Sequence, residues 1–76
     1  MNTLQKRLRL AKQMVAILGE RTMQRTDWTV ITISKTQCPP QVFDRMLKFL
    51  LSEGYVERTK RGIYRRTING KRFAET

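Results

Sequence analysis

The spacing of apolar residues near the start of the chain predicts an amphipathic helix over residues 3–18. Thr3 is placed to cap this helix, and Gly19 is placed to end it in a left-handed conformation. A short strand is expected after it, around residues 22–23. The residues that recur at steps of three or four along one helix face are Leu4, Leu8, Ala11, Val15 and Leu18.

The most regular apolar pattern predicts a helix over residues 40–52. Pro40 suits the first position of a helix, because the backbone N–H that proline lacks would have no hydrogen-bond partner within the helix at that position. Gly54 follows the last apolar residue and ends the helix. The apolar side comprises Val42, Phe43, Met46, Leu47, Leu50 and Leu51. The opposite side carries Gln41, Asp44, Arg45 and Lys48.

The stretch Thr26–Ser34 has two interpretations. Its tryptophan, valine, isoleucines and threonines favour a strand by propensity. Alternatively, Thr26 or Asp27 could cap a short helix that places Trp28 and Ile31 on one face. The local pattern leaves both open, although the single tryptophan is expected to pack in the core in either case.

The last third of the chain predicts a hairpin followed by a helix. Tyr55–Thr59 and Ile63–Thr67 have strand composition, and Lys60–Gly62 between them forms a basic turn. Thr67 can also cap a last short helix, Ile68–Glu75. The 76 residues suffice for one domain spanning residues 1–76.

Charge indicates an anionic partner. The chain has 16 Lys and Arg against 6 Asp and Glu, a formal net charge of +10. A merely solvated surface would spread its charges, whereas here they cluster. The run Arg58–Arg72 contains no acid, and its basic members are Arg58, Lys60, Arg61, Arg65, Arg66, Lys71 and Arg72.

The composition gives little support to a metal site, a disulfide, an enzyme or a membrane protein. Without histidine, and with Cys38 as the only cysteine, we expect neither a metal site nor an intramolecular disulfide. No nucleophile lies beside a base and no glycine-rich phosphate loop is present, so we expect no enzyme, catalytic residue or cofactor. The first helix is interrupted by basic residues and does not resemble a signal peptide, and no membrane span is expected. An intracellular, cytoplasmic location fits best.

The succession of residues from Phe43 to Phe73 resembles winged helix-turn-helix DNA-binding domains. A helix ends in a leucine pair, Gly54, an aromatic residue and a valine; a short hairpin follows, then Tyr64, Thr67 and Gly70-Lys71 near Phe73. The resemblance implies a mostly helical fold with three helices, a two- or three-stranded wing and a short C-terminal helix. It also implies that Thr26–Ser34 is helical, with Lys35–Pro39 as the turn.

The resemblance further implies two sets of DNA-contacting residues. Helix 40–52 would be the recognition helix in the major groove, and the basic wing, residues 58–66, would contact backbone or minor groove. The recognition helix and the turn before it supply Thr36, Gln37, Gln41, Asp44, Arg45 and Lys48. The wing supplies Arg58, Lys60, Arg61 and Arg65.

Asp44 and Arg66 each have two alternative roles. Asp44 is unfavourable near phosphate, so it would either accept a hydrogen bond from cytosine or hold Arg45 or Lys48 in place. The position of Arg66 is often leucine in the family. Either its stem lies along the core while its charge reaches out, or the strand register differs.

The expected function is that of a transcriptional regulator that binds double-stranded DNA. The alternatives are a sequence-independent architectural DNA-binding protein and a winged helix protein-interaction module. The first helix has apolar residues around more of its circumference than one core needs. Leu10, Met14 and Ile17 could therefore form a homodimer interface.

Overall fold

A computed structural model describes residues 3–76 and the side chains from Leu4 onward. Over residues 3–76 it contains four helices and one three-stranded antiparallel sheet. The predicted cap at Thr3 concerns a side chain outside this part. The elements are α1 (Thr3–Leu18), β1 (Met23–Gln24), α2 (Arg25–Thr36), α3 (Pro40–Ser52), β2 (Val56–Lys60), β3 (Ile63–Arg66) and α4 (Ile68–Glu75).

The ambiguous stretch is helical, as the resemblance implied. Trp28 and Thr32, one turn apart on α2, are fully buried. Burial of this face overrides the strand propensity of the sequence. The predicted caps Thr26 and Asp27 are wrong: the N-cap is Gln24, which makes no side-chain capping bond. The helix ends where Gln37 adopts a left-handed φ of 59° and donates its N–H to the carbonyl of Ile33.

The core is centred on Trp28. Its ring meets Phe43 of α3 edge to face at 5.4 Å and lies 5.9 Å from Tyr64 of β3. The other buried apolar residues are Leu10, Ala11, Met14, Val15, Leu18, Met23, Met46, Leu47, Leu50 and Val56. Three helices and the sheet therefore share one core, and Trp28 has its predicted role.

The predicted dimer interface on α1 is wrong. Leu10 is 8% exposed, Met14 is fully buried, and Ile17 is half-buried against the core. The apolar stripe of α1 is wide because α2, α3, α4 and β3 all pack against this one helix. Leu4, expected on the buried face, is 61% exposed.

The sheet has the order β1-β3-β2. Met23 of β1 pairs with Tyr64 of β3, and the register between β2 and β3 shifts between Arg58 and Lys60. Gly62 supplies the positive φ of 75° that the tight turn between β2 and β3 requires. The hairpin and the short preceding strand thus agree with the sequence-based prediction.

The C-terminal helix packs tightly on the end of the hairpin. Thr67 caps α4, as predicted, by accepting from the N–H of Gly70 at 3.0 Å. A Cβ at Gly70 would lie 1.9 Å from the carbonyl oxygen of Tyr55, so only glycine fits there. The ring of Tyr55 stacks on that of Phe73, with 4.2 Å between centroids.

The structure selects the first of the two alternatives for Arg66. Its side chain is only 17% exposed, and its Cγ lies 3.2 Å from where a Cβ of Gly70 would be. The guanidinium reaches outward to 3.8 Å from the carboxylate of Glu20. The stem therefore packs as an apolar residue would while the charge stays near solvent.

Candidate nucleic-acid interface

The exposed side of α3 carries one uncharged and two basic side chains in a row along the helix. Gln41, Arg45 and Lys48 are all exposed, and we call them the α3 stripe. They share a face because residues four and three apart stack along a helix. The opposite side is anchored by the buried residues Phe43 and Leu47, which set the rotation of the helix about its axis. The stripe is therefore held outward by the core.

Asp44 lies at the edge of the α3 stripe and makes an ion pair that the sequence did not reveal. Its Oδ1 accepts from Nη2 of Arg25 at 2.6 Å, and both side chains are about half exposed (50% and 48%). The expectation that Asp44 holds Arg45 or Lys48 is wrong, because its partner comes from the first turn of α2. The pairing places a cation beside the only carboxylate on α3.

Arg25 also connects α3 to the hairpin. Its backbone N–H donates to the carbonyl of Gly62, in the β2–β3 turn, at 2.8 Å. One residue before it, Gln24 pairs with Ile63 at the start of β3. A single residue thus fixes the hairpin turn through its backbone and contacts α3 through its side chain. The tip of the hairpin and the side of α3 are held in a defined relation.

The hairpin carries the predicted basic residues on its exposed positions. Arg58, Lys60, Arg61 and Arg65 are all exposed. The bulge at residues 58–60 twists the edge strand just before the tip. Lys60 and Arg61 lie at this turn, and neither has an ion-pair partner among residues 3–76.

Arg65 differs from the other hairpin cations. Its Nε donates to Oε1 of Glu57, the residue directly opposite on β2. The basic run Arg58–Arg72 contains no acid, yet the strand pairing supplies one, Glu57, from the position just before it. Arg65 is consequently the member of the predicted wing set whose charge is balanced by a carboxylate within the protein.

Of the two predicted turn residues only Gln37 lies in the turn, because α2 extends through Lys35 to Thr36. Thr36 is half-buried, donates its hydroxyl to the carbonyl of Thr32 at 2.7 Å and accepts from the N–H of Cys38 at 3.4 Å. Gln37 is exposed in its left-handed conformation. The hydroxyl of Thr36 is engaged within the protein, so of the pair only Gln37 extends freely outward.

Sequence reasoning missed Arg25 and the basic residues of α1. Nothing in the sequence around Arg25 signals a partner 19 positions away. Lys6 and Arg7 are among the basic residues that interrupt the apolar pattern of the first helix. Folding places them along one groove with Gln37 and Val42, next to the start of α3.

Comparison with known proteins is negative throughout: no protein-family model, no curated protein and no solved structure matches the chain. Within residues 3–76 there is no group of three or more histidine, cysteine or acidic side chains that could hold a metal ion. None of the helices described is long and apolar enough to cross a membrane.

Proposed function

We propose that this chain is a winged helix-turn-helix domain that binds double-stranded DNA as a transcriptional regulator and catalyses no reaction. In this proposal α3 is the recognition helix and the β2–β3 hairpin is the wing. The observation that carries it is the arrangement around Arg25: the exposed α3 stripe and the basic hairpin turn are held side by side by one residue. Two elements in a defined relation can engage one duplex together.

The order of elements supports the fold part of the proposal. Two helices, α2 and α3, are separated by a three-residue turn and pack against each other and against α1. A two-stranded hairpin follows α3, and β1 adds a third strand next to β3. This arrangement agrees with a helix-turn-helix followed by a wing.

The chemistry of the α3 stripe suits the edges of base pairs. An arginine such as Arg45 can bind guanine O6 and N7 with two hydrogen bonds, and Gln41 can bind adenine in the same way. Each such pair discriminates against the wrong base by about 1–3 kcal/mol. Lys48, one turn further along, suits phosphate or guanine. The exposed positions near the helix start are the ones that a recognition helix uses.

The Arg25–Asp44 pair removes the main electrostatic objection to this use of α3. An unpaired carboxylate beside the stripe would repel phosphate, since two like charges approach within a few ångströms in such a complex. Arg25 balances that charge locally. The second oxygen of Asp44 remains a hydrogen-bond acceptor that fits the amino group of cytosine.

Selection of bound sequences from a random duplex pool tests the proposal. A transcriptional regulator enriches a short motif, and its affinity for that motif exceeds that for random DNA by roughly 10³-fold or more. Equal affinity for all sequences contradicts the regulator and supports a sequence-independent architectural protein. Absence of duplex binding at about 50 mM salt contradicts DNA binding altogether and supports a protein-interaction module.

A further inference from the structure

We propose that Lys6 and Arg7 of α1 form a second phosphate-binding flank, on the side of α3 opposite the hairpin. The inference rests on the proposed DNA-binding function and adds a partner surface to it. The duplex would be contacted on both backbones that border one major groove, by the hairpin on one side of α3 and by α1 on the other.

A surface groove brings α1 alongside the start of α3. Lys6, Arg7 and Gln13 form one wall, and Gln37, Pro39 and Val42 belong to the other. Residues of the helix-turn-helix and two cations about 30 positions earlier in the chain therefore share one surface. No acidic residue lines this groove.

Helical geometry places this groove and the hairpin on opposite sides of the α3 stripe. Each residue advances an α-helix by about 100°. Taking Gln41, Arg45 and Lys48 as the centre, Val42 points about 90° to one side and Asp44 about 70° to the other. Val42 borders the α1 groove, and Asp44 contacts Arg25, whose backbone is bonded to the hairpin turn.

The charges of Lys6 and Arg7 are not used elsewhere in the described structure. Helix α1 contains no acidic residue, and both side chains are exposed without an ion-pair partner among residues 3–76. Lys12 of the same helix is different, since its Nζ donates to the carbonyl of Thr76 at 3.1 Å and lies 5.6 Å from the centre of the Phe73 ring.

The path of α4 leaves the first half of α1 uncovered. The start of α4 lies near Glu20, just past the end of α1, and its end lies near Lys12. α4 therefore runs back along the second half of α1 and stops before Lys6 and Arg7. The first half of α1 borders the turn before α3.

The dimensions of a duplex fit this arrangement. The major groove is about 12 Å wide and a helix with its side chains is about 10–12 Å across. A helix lying in the groove thus has a phosphate backbone close to each flank. Cations on both flanks then position the helix between two rows of phosphates, and such contacts add affinity without sequence information.

A matched pair of double variants tests the second flank. In Lys6→Gln/Arg7→Gln and in Lys71→Gln/Arg72→Gln, two adjacent exposed helical cations are replaced by glutamine, a comparably good helix former. Binding of one duplex is measured between about 50 and 200 mM salt. The α1 variant should flatten the slope of log affinity against log salt by about 1.8 units, or 0.9 per lost phosphate contact, and the α4 variant by less than about half a unit.

The outcomes separate the two proposals. If the unmodified protein binds duplex DNA but the α1 variant keeps its slope, or both variants lose the same amount, the second flank is wrong and the proposed function stands. If the unmodified protein does not bind duplex DNA, both fall. Circular dichroism of each variant checks that the helices are intact.

Cys38 provides an independent readout because it lines the same groove. It is the only cysteine and is half-buried. A duplex spanning the groove should slow alkylation of this thiol by N-ethylmaleimide severalfold, and the Lys6→Gln/Arg7→Gln variant should lose that protection at equal DNA occupancy. Equal alkylation rates with and without bound duplex would overturn the second flank.

Discussion

The indole Nε1–H of Trp28 donates to the backbone carbonyl of Met14 at 3.0 Å, joining α2 to α1 inside the core. This bond satisfies the one polar atom of the largest buried side chain. It also orients the ring toward Phe43 and Tyr64, and it gives α2 a specific anchor where its local sequence favours a strand.

Trp28→Phe should destabilise the fold by about 2 kcal/mol, because it removes a buried hydrogen bond and leaves unfilled volume beside Phe43. Urea denaturation followed by circular dichroism measures the change. Val30→Ala is the control on the same helix, since Val30 is 62% exposed and its loss should alter stability by less than about 0.5 kcal/mol. Equal effects of the two variants would contradict the anchoring role of Trp28.

Gly70→Ala should destabilise the domain by about 2 kcal/mol or more, although alanine is the better helix former. The added Cβ would lie 1.9 Å from the carbonyl oxygen of Tyr55, and backbone atoms cannot give way locally. A lower melting temperature and loss of the Tyr55–Phe73 stacking in near-ultraviolet circular dichroism are expected. Asn69→Ala, at the exposed neighbouring position, should leave both nearly unchanged.

Thr32→Val should stabilise the domain by about 1 kcal/mol. The Thr32 hydroxyl is fully buried and has no hydrogen-bond partner among residues 3–76, so its desolvation is uncompensated. Valine has the same branched shape and a similar helix propensity. A loss of more than about 1 kcal/mol on urea denaturation would show that the hydroxyl is satisfied in solution.

The Arg25–Asp44 pair should matter more for DNA than for folding. A double-mutant cycle with Arg25→Gln and Asp44→Asn should give a coupling free energy of about 0.2–1 kcal/mol, as for other half-exposed pairs. Asp44→Asn should tighten binding to random duplex, because it removes a negative charge beside the α3 stripe and frees Arg25. Unchanged affinity at about 100 mM salt would place Asp44 away from bound phosphate.

Arg45 and Arg61 should differ in what their loss changes. Arg61→Gln should flatten the salt dependence of log affinity by about one unit for every sequence, as expected for a phosphate contact. Arg45→Gln should relax preference at one base pair by about 1–3 kcal/mol. Both are measured by competition among duplexes that differ at single positions. An Arg45 variant with unaltered base preference would contradict α3 as the recognition helix.

Local pattern was enough to predict most elements of this chain. Periodicity places α1 and α3 at Thr3–Leu18 and Pro40–Ser52, and the capping role of Thr67 follows from its type and position before α4. These predictions succeed because amphipathic periodicity and capping depend on residues a few positions apart. The basic hairpin is predicted for the same reason.

Contacts between residues far apart in the chain could not be predicted from these local patterns. The sequence by itself determined the elements other than α2, the strong positive charge and the outward row of Gln41, Arg45 and Lys48. Burial of Trp28 and Thr32 in the core decided that α2 is a helix. Only the tertiary structure decided that Leu10 and Met14 are buried, because that depends on how many elements surround α1. It also decided that Arg25 neutralises Asp44, since a short-range ion pair depends on the packing of two helices whose charges lie 19 residues apart.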